Sequence, residues 1–306
     1  MRKAFAKKLT ELVSGNKNIY LLTGDLGFSV FDEYKEKFPE NFINMGVSEA
    51  NMIGVAAGMA MRGKQVFVYS IIPFVTFRCL EQIRNDLCLQ NLPVKIVGVG
   101  EGVSYGTAGP THHAIEDIGI MSSLPNLTVI SPGDPIEVEK VVEQSLNLTS
   151  PCYIRLGKSG EENLNSPEID LKIGKGNIIK QGGDIAIIST GNMLSTAVKV
   201  SNILKEENIS PMVISLHTIK PLDENLLKAI SKTIKHIFVL EEHISSCGLC
   251  SRISFFYSQE NIKVNLTCIG LPDSFVYLVG KQDFLREIYG LDVKGIKDKI
   301  ITELRR

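Results

Sequence analysis

Residues 48–69, SEANMIGVAAGMAMRGKQVFVY, pass from a helix into a strand within a single short segment. Ser48–Met61 carries apolar and small residues at helical spacing, Arg62 and Gly63 break it, and Gln65–Tyr69 is a β-branched and aromatic run of strand length. The same alternation extends outward in both directions. Upstream lie a helix over Arg2–Val13 and a strand over Ile19–Thr23. Downstream come a helix over Val75–Leu89, strands over Val94–Val99, Thr128–Ile130 and Cys152–Leu156, and helices over Ala114–Ser123 and Pro135–Leu148. Short apolar strands separated by amphipathic helices are the pattern of βαβ units around a parallel sheet.

A polar stretch, Gly157–Lys175, interrupts the pattern, which then restarts. Strands over Asp184–Ser189, Met212–Ser215, His236–Leu240 and Val264–Cys268 alternate with helices over Met193–Glu206, Glu224–Ser231 and Leu249–Tyr257. Helices near Asp283–Ile288 and Val293–Leu304 close the chain. The expected fold is therefore α/β, with two consecutive open βαβ domains over residues 1–157 and 177–306 joined by a linker at 158–176.

Composition narrows the function classes. The 306 residues are 44% hydrophobic, and 33 Lys and Arg stand against 34 Asp and Glu, so there is no electrostatic footprint for nucleic acid. The most apolar stretch, Val66–Val75, is too short for a bilayer span and is interrupted by Tyr69, Ser70 and Pro73. The N-terminal helix is charged throughout and lacks the apolar core of a secretory signal. These features predict a cytoplasmic protein with neither membrane nor nucleic-acid contact. Six cysteines fit a reduced compartment, and the Cys247-Gly-Leu-Cys250 spacing, with no second CxxC or His pair, reads as incidental.

Several residues stand out as chemistry-bearing. Glu49 opens its helix, where an acid is favoured by the helix dipole whether or not it has a function. Phe74 and Phe77 lie three apart at a loop-to-helix junction, as core residues or as a platform for a flat heterocycle. Gly100–Asp117 is a long glycine-rich loop following a strand, the position where open α/β sheets bind ligands, and it carries His112 and His113. Arg155 near the end of its strand is either solvated or a ligand for an anionic group.

In order and spacing, these pieces resemble the transketolase family of thiamine diphosphate enzymes. More narrowly, they are similar to the pyrimidine-binding and C-terminal domains that form the small subunit of a split transketolase. The resemblance rests on Gly24–Ser29, Gly46–Gly58, Glu81–Arg84, Gly109–Asp117, Ser131–Asp134, Tyr153–Leu156, Thr218–Asp223 and Glu241–His243. It implies that Glu49 hydrogen-bonds the cofactor's aminopyrimidine, a role for a carboxyl that carries or shares a proton, as burial against small apolar residues favours. It further implies that Phe74, or Phe77 one helical step on, stacks on the pyrimidine, and that Asp25 lies near the cofactor. Ser29 and His113 would face substrate, His112 would be catalytic alongside Glu49 and contact the diphosphate or the substrate's hydroxyl and carbonyl oxygens, and Arg155 would hold a sugar phosphate. The implied reaction moves a two-carbon ketol unit from a ketose to an aldehyde.

The family's Gly-Asp-Gly motif for Mg²⁺ and the diphosphate is missing from the sequence, so the metal ligands and the diphosphate site are expected on a separate partner subunit, in an α₂β₂ assembly. Departures bear on substrate: Ala108 and His113 stand where relatives have Asp and Gln, and Gly100 where a phosphate-binding His is common. A modified sugar is thereby admitted. Also open are a 2-oxo acid dehydrogenase β-like or deoxyxylulose phosphate synthase-like subunit, and a non-catalytic protein that retains the fold.

Overall fold

The computed structural model describes Met1–Arg306. Its strands are β1 (Ile19–Thr23), β2 (Phe42–Asn44), β3 (Gln65–Ile71), β4 (Lys95–Val99), β5 (Thr128–Ile130), β6 (Cys152–Leu156), β7 (Asn177–Lys180), β8 (Ile185–Ser189), β9 (Pro211–Ser215), β10 (Thr218–Lys220), β11 (His236–Ile244) and β12 (Asn265–Leu271). Seven of them form one sheet in the order β10-β5-β6-β4-β3-β1-β2, and five form a second in the order β12-β11-β8-β9-β7. Pairing is parallel except at two edges, where β10 runs antiparallel to β5 and β7 antiparallel to β9. Every residue of β4, β6 and β8 is buried, the state of strands covered on both faces by helices and the reason they read as continuous apolar runs.

Both βαβ series are thus present with the expected α/β character. The largest hydrophobic cluster, 37 buried residues, includes Leu22, Val68 and Ile96 of the first sheet together with Ile188 and Val239 of the second. The two sheets therefore share one core. Strand β10 adds to that continuity, since it lies beyond β9 in the chain yet completes the first sheet. Next to it, Ser131 N–H donates to the His217 carbonyl at 2.7 Å, and Gly191 N–H donates to the Ser131 carbonyl at 3.0 Å.

Three local differences from the sequence reading have physical causes. Val75–Leu89 is not one helix: a turn at Ile72–Val75 is followed by a 3₁₀ turn at Phe77–Cys79, a short turn at Leu80–Gln82 and a widened π turn at Ile83–Cys88. Here the Thr76 hydroxyl donates to the Ile72 carbonyl and the Cys79 thiol to that of Phe74, competing with regular helical bonds. The helix expected from Ala114 begins at Asp117, because Ala114 is paired with Gly102 in a two-way backbone bridge. Cys250 is disulfide-bonded to Cys268 on β12, leaving Cys247 free, so the cysteines are not all thiols as expected. No helix is long and apolar enough to cross a membrane.

Candidate active site

The carboxyl ends of β1, β3, β4 and β6 lie along one edge of the first sheet, where the chain leaves each strand and a crevice can form. Glu49 begins the helix Glu49–Met61 against this edge with only 1% of its surface exposed. One carboxylate oxygen, Oε1, accepts from the Ser70 hydroxyl on β3 at 2.9 Å. The other, Oε2, accepts from Arg78 Nη1 at 2.5 Å. The expected apolar wall around Glu49 is thus replaced on its open side by a hydroxyl and a cation. The helix turns its apolar residues, Met52, Ile53, Ala56 and Ala57, into the core instead. Room for the carboxyl depends on Gly24 at the end of β1, where a Cβ would stand 2.9 Å from Glu49 Oε1.

Arg78 spreads its guanidinium over the Phe74 ring, 4.4 Å from the centroid. Phe74 meets the His112 ring nearly edge-on at 5.1 Å, and His112 lies 6.3 Å from the Tyr105 ring. Lys158 Nζ stands 4.5 Å from the Tyr105 centroid. Glu49, Arg78, Phe74, His112, Tyr105 and Lys158 consequently form a continuous row along the sheet edge. Thr111 Oγ1 is 3.0 Å from His112 Nδ1, which leaves Nε2 as the ring nitrogen available to another group. Phe74, rather than Phe77, is the ring that contacts both Arg78 and His112; Phe77 sits half-buried in the 3₁₀ turn.

Asp25 and Ser29 are exposed on the loop after β1, both in the left-handed region, at φ 57° and 56°. Asp25 is fixed by Asn44 at the end of β2, which donates from Nδ2 to Asp25 Oδ1 at 2.9 Å and accepts from the Asp25 N–H at 3.1 Å.

Two assignments are corrected. Arg155 does not reach a substrate: it is 1% exposed and each of its three guanidinium nitrogens is hydrogen-bonded within the protein. Nε donates to Asp117 at 2.8 Å, Nη1 to Glu101 at 2.9 Å, and Nη2 to the carbonyls of Ala114 and Glu242 at 2.8 and 3.2 Å. Its position in the strand turns it inward to the junction of the two sheets. The cation at that strand's open end is Lys158, half-buried two residues beyond Leu156. His113 is likewise turned inward, 2% exposed with no hydrogen-bond partner on either ring nitrogen, and burial pushes its pKa down.

Ser70, Arg78, Tyr105 and Lys158 were not singled out from sequence. Gly100 has φ +94°, and a Cβ there would lie 2.2 Å from the Tyr105 ring, so the aromatic fills the space beside that glycine. No group of three or more His, Cys, Asp or Glu side chains is arranged to hold a metal ion.

Fold and site together define a protein of the transketolase type. Residues 1–161 match the transketolase pyrimidine binding domain and residues 174–296 the transketolase C-terminal domain, so the chain belongs to the transketolase family. Within it, the chain corresponds to the small subunit of a split transketolase. It is 36% identical to a Methanocaldococcus jannaschii protein described as a transketolase C-terminal section, covering 100% of this chain and 96% of that one. It is 31% identical to one subunit of the apulose-4-phosphate transketolase of Phocaeicola vulgatus, covering 96% and 94%. A solved structure described as a split gene transketolase, inactive beta4 tetramer, superimposes with a TM-score of 0.90 at 33% identity, over 98% of this chain and 97% of that chain.

Proposed function

We propose that this chain is the smaller subunit of a heteromeric, thiamine diphosphate-dependent enzyme that moves a two-carbon ketol unit from a ketose, phosphorylated or modified, to an aldehyde acceptor. The observation that carries the reading is the pairing of a buried carboxylate, Glu49, with the face of Phe74, with a flat cationic group, the Arg78 guanidinium, lying on both. A buried carboxyl beside an aromatic face suits an aminopyrimidine, which offers a ring nitrogen to the one and a flat surface to the other. Diphosphate and Mg²⁺ are assigned to a partner subunit, on the ground that the Gly-Asp-Gly motif is missing from this sequence.

When bound, thiamine diphosphate supplies a nucleophilic carbon and an electron sink for breaking and making the carbon–carbon bond. Glu49 holds a proton against the pyrimidine ring nitrogen, with Ser70 fixing the carboxyl's other oxygen. Phe74 sets the plane of that ring. His112, its Nδ1 oriented by Thr111, presents Nε2 to a substrate oxygen and moves a proton there. Lys158 offers charge to a phosphate or other anionic tail, a use in keeping with the phosphorylated sugar named for the Phocaeicola relative. Ala108, exposed in the same loop, cannot accept a hydroxyl hydrogen bond, which favours a substrate lacking the usual hydroxyl arrangement.

The test uses the chain co-purified with its diphosphate-binding partner. Thiamine diphosphate with Mg²⁺ is expected to bind the pair and not this chain alone, and Glu49→Gln to lower ketol transfer by about 10²-fold or more. Wild-type turnover in that variant would remove Glu49 from the mechanism. Release of CO₂ from a 2-oxo acid, with no ketol transfer, would move the enzyme to the decarboxylating branch of the family.

A further inference from the structure

The carboxylate of Glu49 has no free oxygen. Ser70 takes Oε1 and Arg78 takes Oε2, and the side chain is 1% exposed. The face of Phe74 is covered by the same guanidinium, and the ring's edge is packed against His112. Arg78 therefore occupies both places that the proposed function gives to the aminopyrimidine: the face of Phe74 and the hydrogen-bonding position at Glu49. Two planar groups cannot hold the same face and the same oxygen at once. The Arg78 side chain is 42% exposed, so it can withdraw into solvent without crossing packed structure.

We infer that Arg78 is an internal competitor for the pyrimidine seat, a residue that sets cofactor affinity by occupying Glu49 and Phe74 until the cofactor displaces it. The inference rests on the reading of Glu49 and Phe74 as that seat. Its thermodynamic consequence is a reduction of apparent affinity by the fraction of molecules in which the seat is open: a latch closed about 90% of the time weakens binding about tenfold. While closed, it also pairs a buried carboxylate that would otherwise stand as an uncompensated charge. The arginine is a positioning element of the site, exchanging its place with the ligand and taking no part in bond making.

The experiment compares wild type, Arg78→Ala, Glu49→Gln and the double variant, each co-purified with the diphosphate-binding partner, in calorimetric titrations with thiamine diphosphate at saturating Mg²⁺. Arg78→Ala is expected to bind about tenfold more tightly than wild type. In the Glu49→Gln background, where the guanidinium has lost its charged partner, removing it should change affinity less than about twofold. A second readout follows the wild-type side chain directly: with ¹⁵N-labelled arginine, the Arg78 guanidinium resonance should move from an ion-paired to a solvent-exposed position as cofactor is added. Arg78→Ala binding that is unchanged or weaker, or an Arg78 resonance that does not respond, would overturn the inference while leaving the cofactor site in place. Absence of binding in wild type and every variant would overturn the cofactor reading itself, and this inference with it.

Discussion

A hydrogen atom at Gly24 is all that separates the end of β1 from the carboxyl of Glu49. A Cβ there would lie 2.9 Å from Oε1 and 3.1 Å from Cδ, and the carboxyl cannot yield freely because Ser70 and Arg78 hold it from the other side. Gly24→Ala is accordingly expected to cost about 1–3 kcal/mol of stability as an overpacked site, and to reduce ketol transfer at least tenfold by turning Glu49. Gly15→Ala, where no atom lies within 4 Å of the added Cβ, is the control and should change neither. Equal activity of the two variants in a coupled assay would show that the position of Glu49 tolerates movement. Glu49 and His112 could be singled out from the sequence because each lies in a stretch of family-like spacing, whereas Phe74 lies outside those stretches and the sequence does not separate it from Phe77. Arg78 and Tyr105 could not be singled out, because what distinguishes them is a contact made across the fold. Arg155 was misread for a related reason: spacing places a residue near a strand's end, but not what covers the face it points to.

At the level of elements, period and length located nine of the twelve strands, missing the short edge strands β2, β7 and β10 and the helix Asp32–Lys37, and some failures occur where side chains or tertiary partners capture backbone groups. The broken segment Ile72–Cys88 is one case, and β10 is another, three residues whose pairing with β5 has no local signature. His217 lies in the link between β9 and β10, buried, with desolvation pushing its pKa down to about 4. An unfolded histidine titrates near 6.5. Between those values the unfolded chain binds the extra proton, so the stability contributed by the neutral imidazole is present above pH 6.5 and is lost as pH falls toward 4. His243, pushed to about 4 mainly by burial, acts in the same direction. Glu101, Glu137 and Glu241, raised to about 7 by burial, act oppositely, their contribution being lost as pH rises toward 7. Comparing variants separates these effects. In urea melts between pH 6 and 4.5, His217→Gln should reduce the slope of unfolding free energy against pH by about 1.4 kcal/mol per pH unit. Parallel slopes for wild type and variant would mean that His217 is protonated in the folded protein.

Across the whole molecule, the two sheets are fastened through charged groups as well as through their common core. Arg155 on β6 binds Glu101, just beyond β4, and Asp117 at the far end of the loop that carries Tyr105 and His112. Glu101 also accepts from the Asn192 N–H at the start of helix Met193–Glu206, at 2.8 Å. Glu242 on β11 accepts from the Val103 N–H at 2.6 Å and from Arg286 Nε at 2.5 Å. The loop is thus pinned at both ends by one arginine and held near its start, at Val103, by Glu242 of the second sheet, which makes the arrangement of His112 depend on both halves of the chain. Removing Arg155 would leave Glu101 and Asp117 buried without their cation, a loss expected to cost about 3–5 kcal/mol. Arg155→Met should therefore lower the urea midpoint sharply, and the triple variant that adds Glu101→Gln and Asp117→Asn should recover part of the loss, because the stranded charges are then gone. A phosphate-binding arginine predicts the reverse pattern, an increased KM at unchanged stability. Stability of Arg155→Met within about 0.5 kcal/mol of wild type, the range of an ordinary surface substitution, would show that the buried network does not hold the loop. Substantial destabilisation with partial rescue would show that the edge of the first sheet carrying the candidate site is built on an anchor reaching into the second.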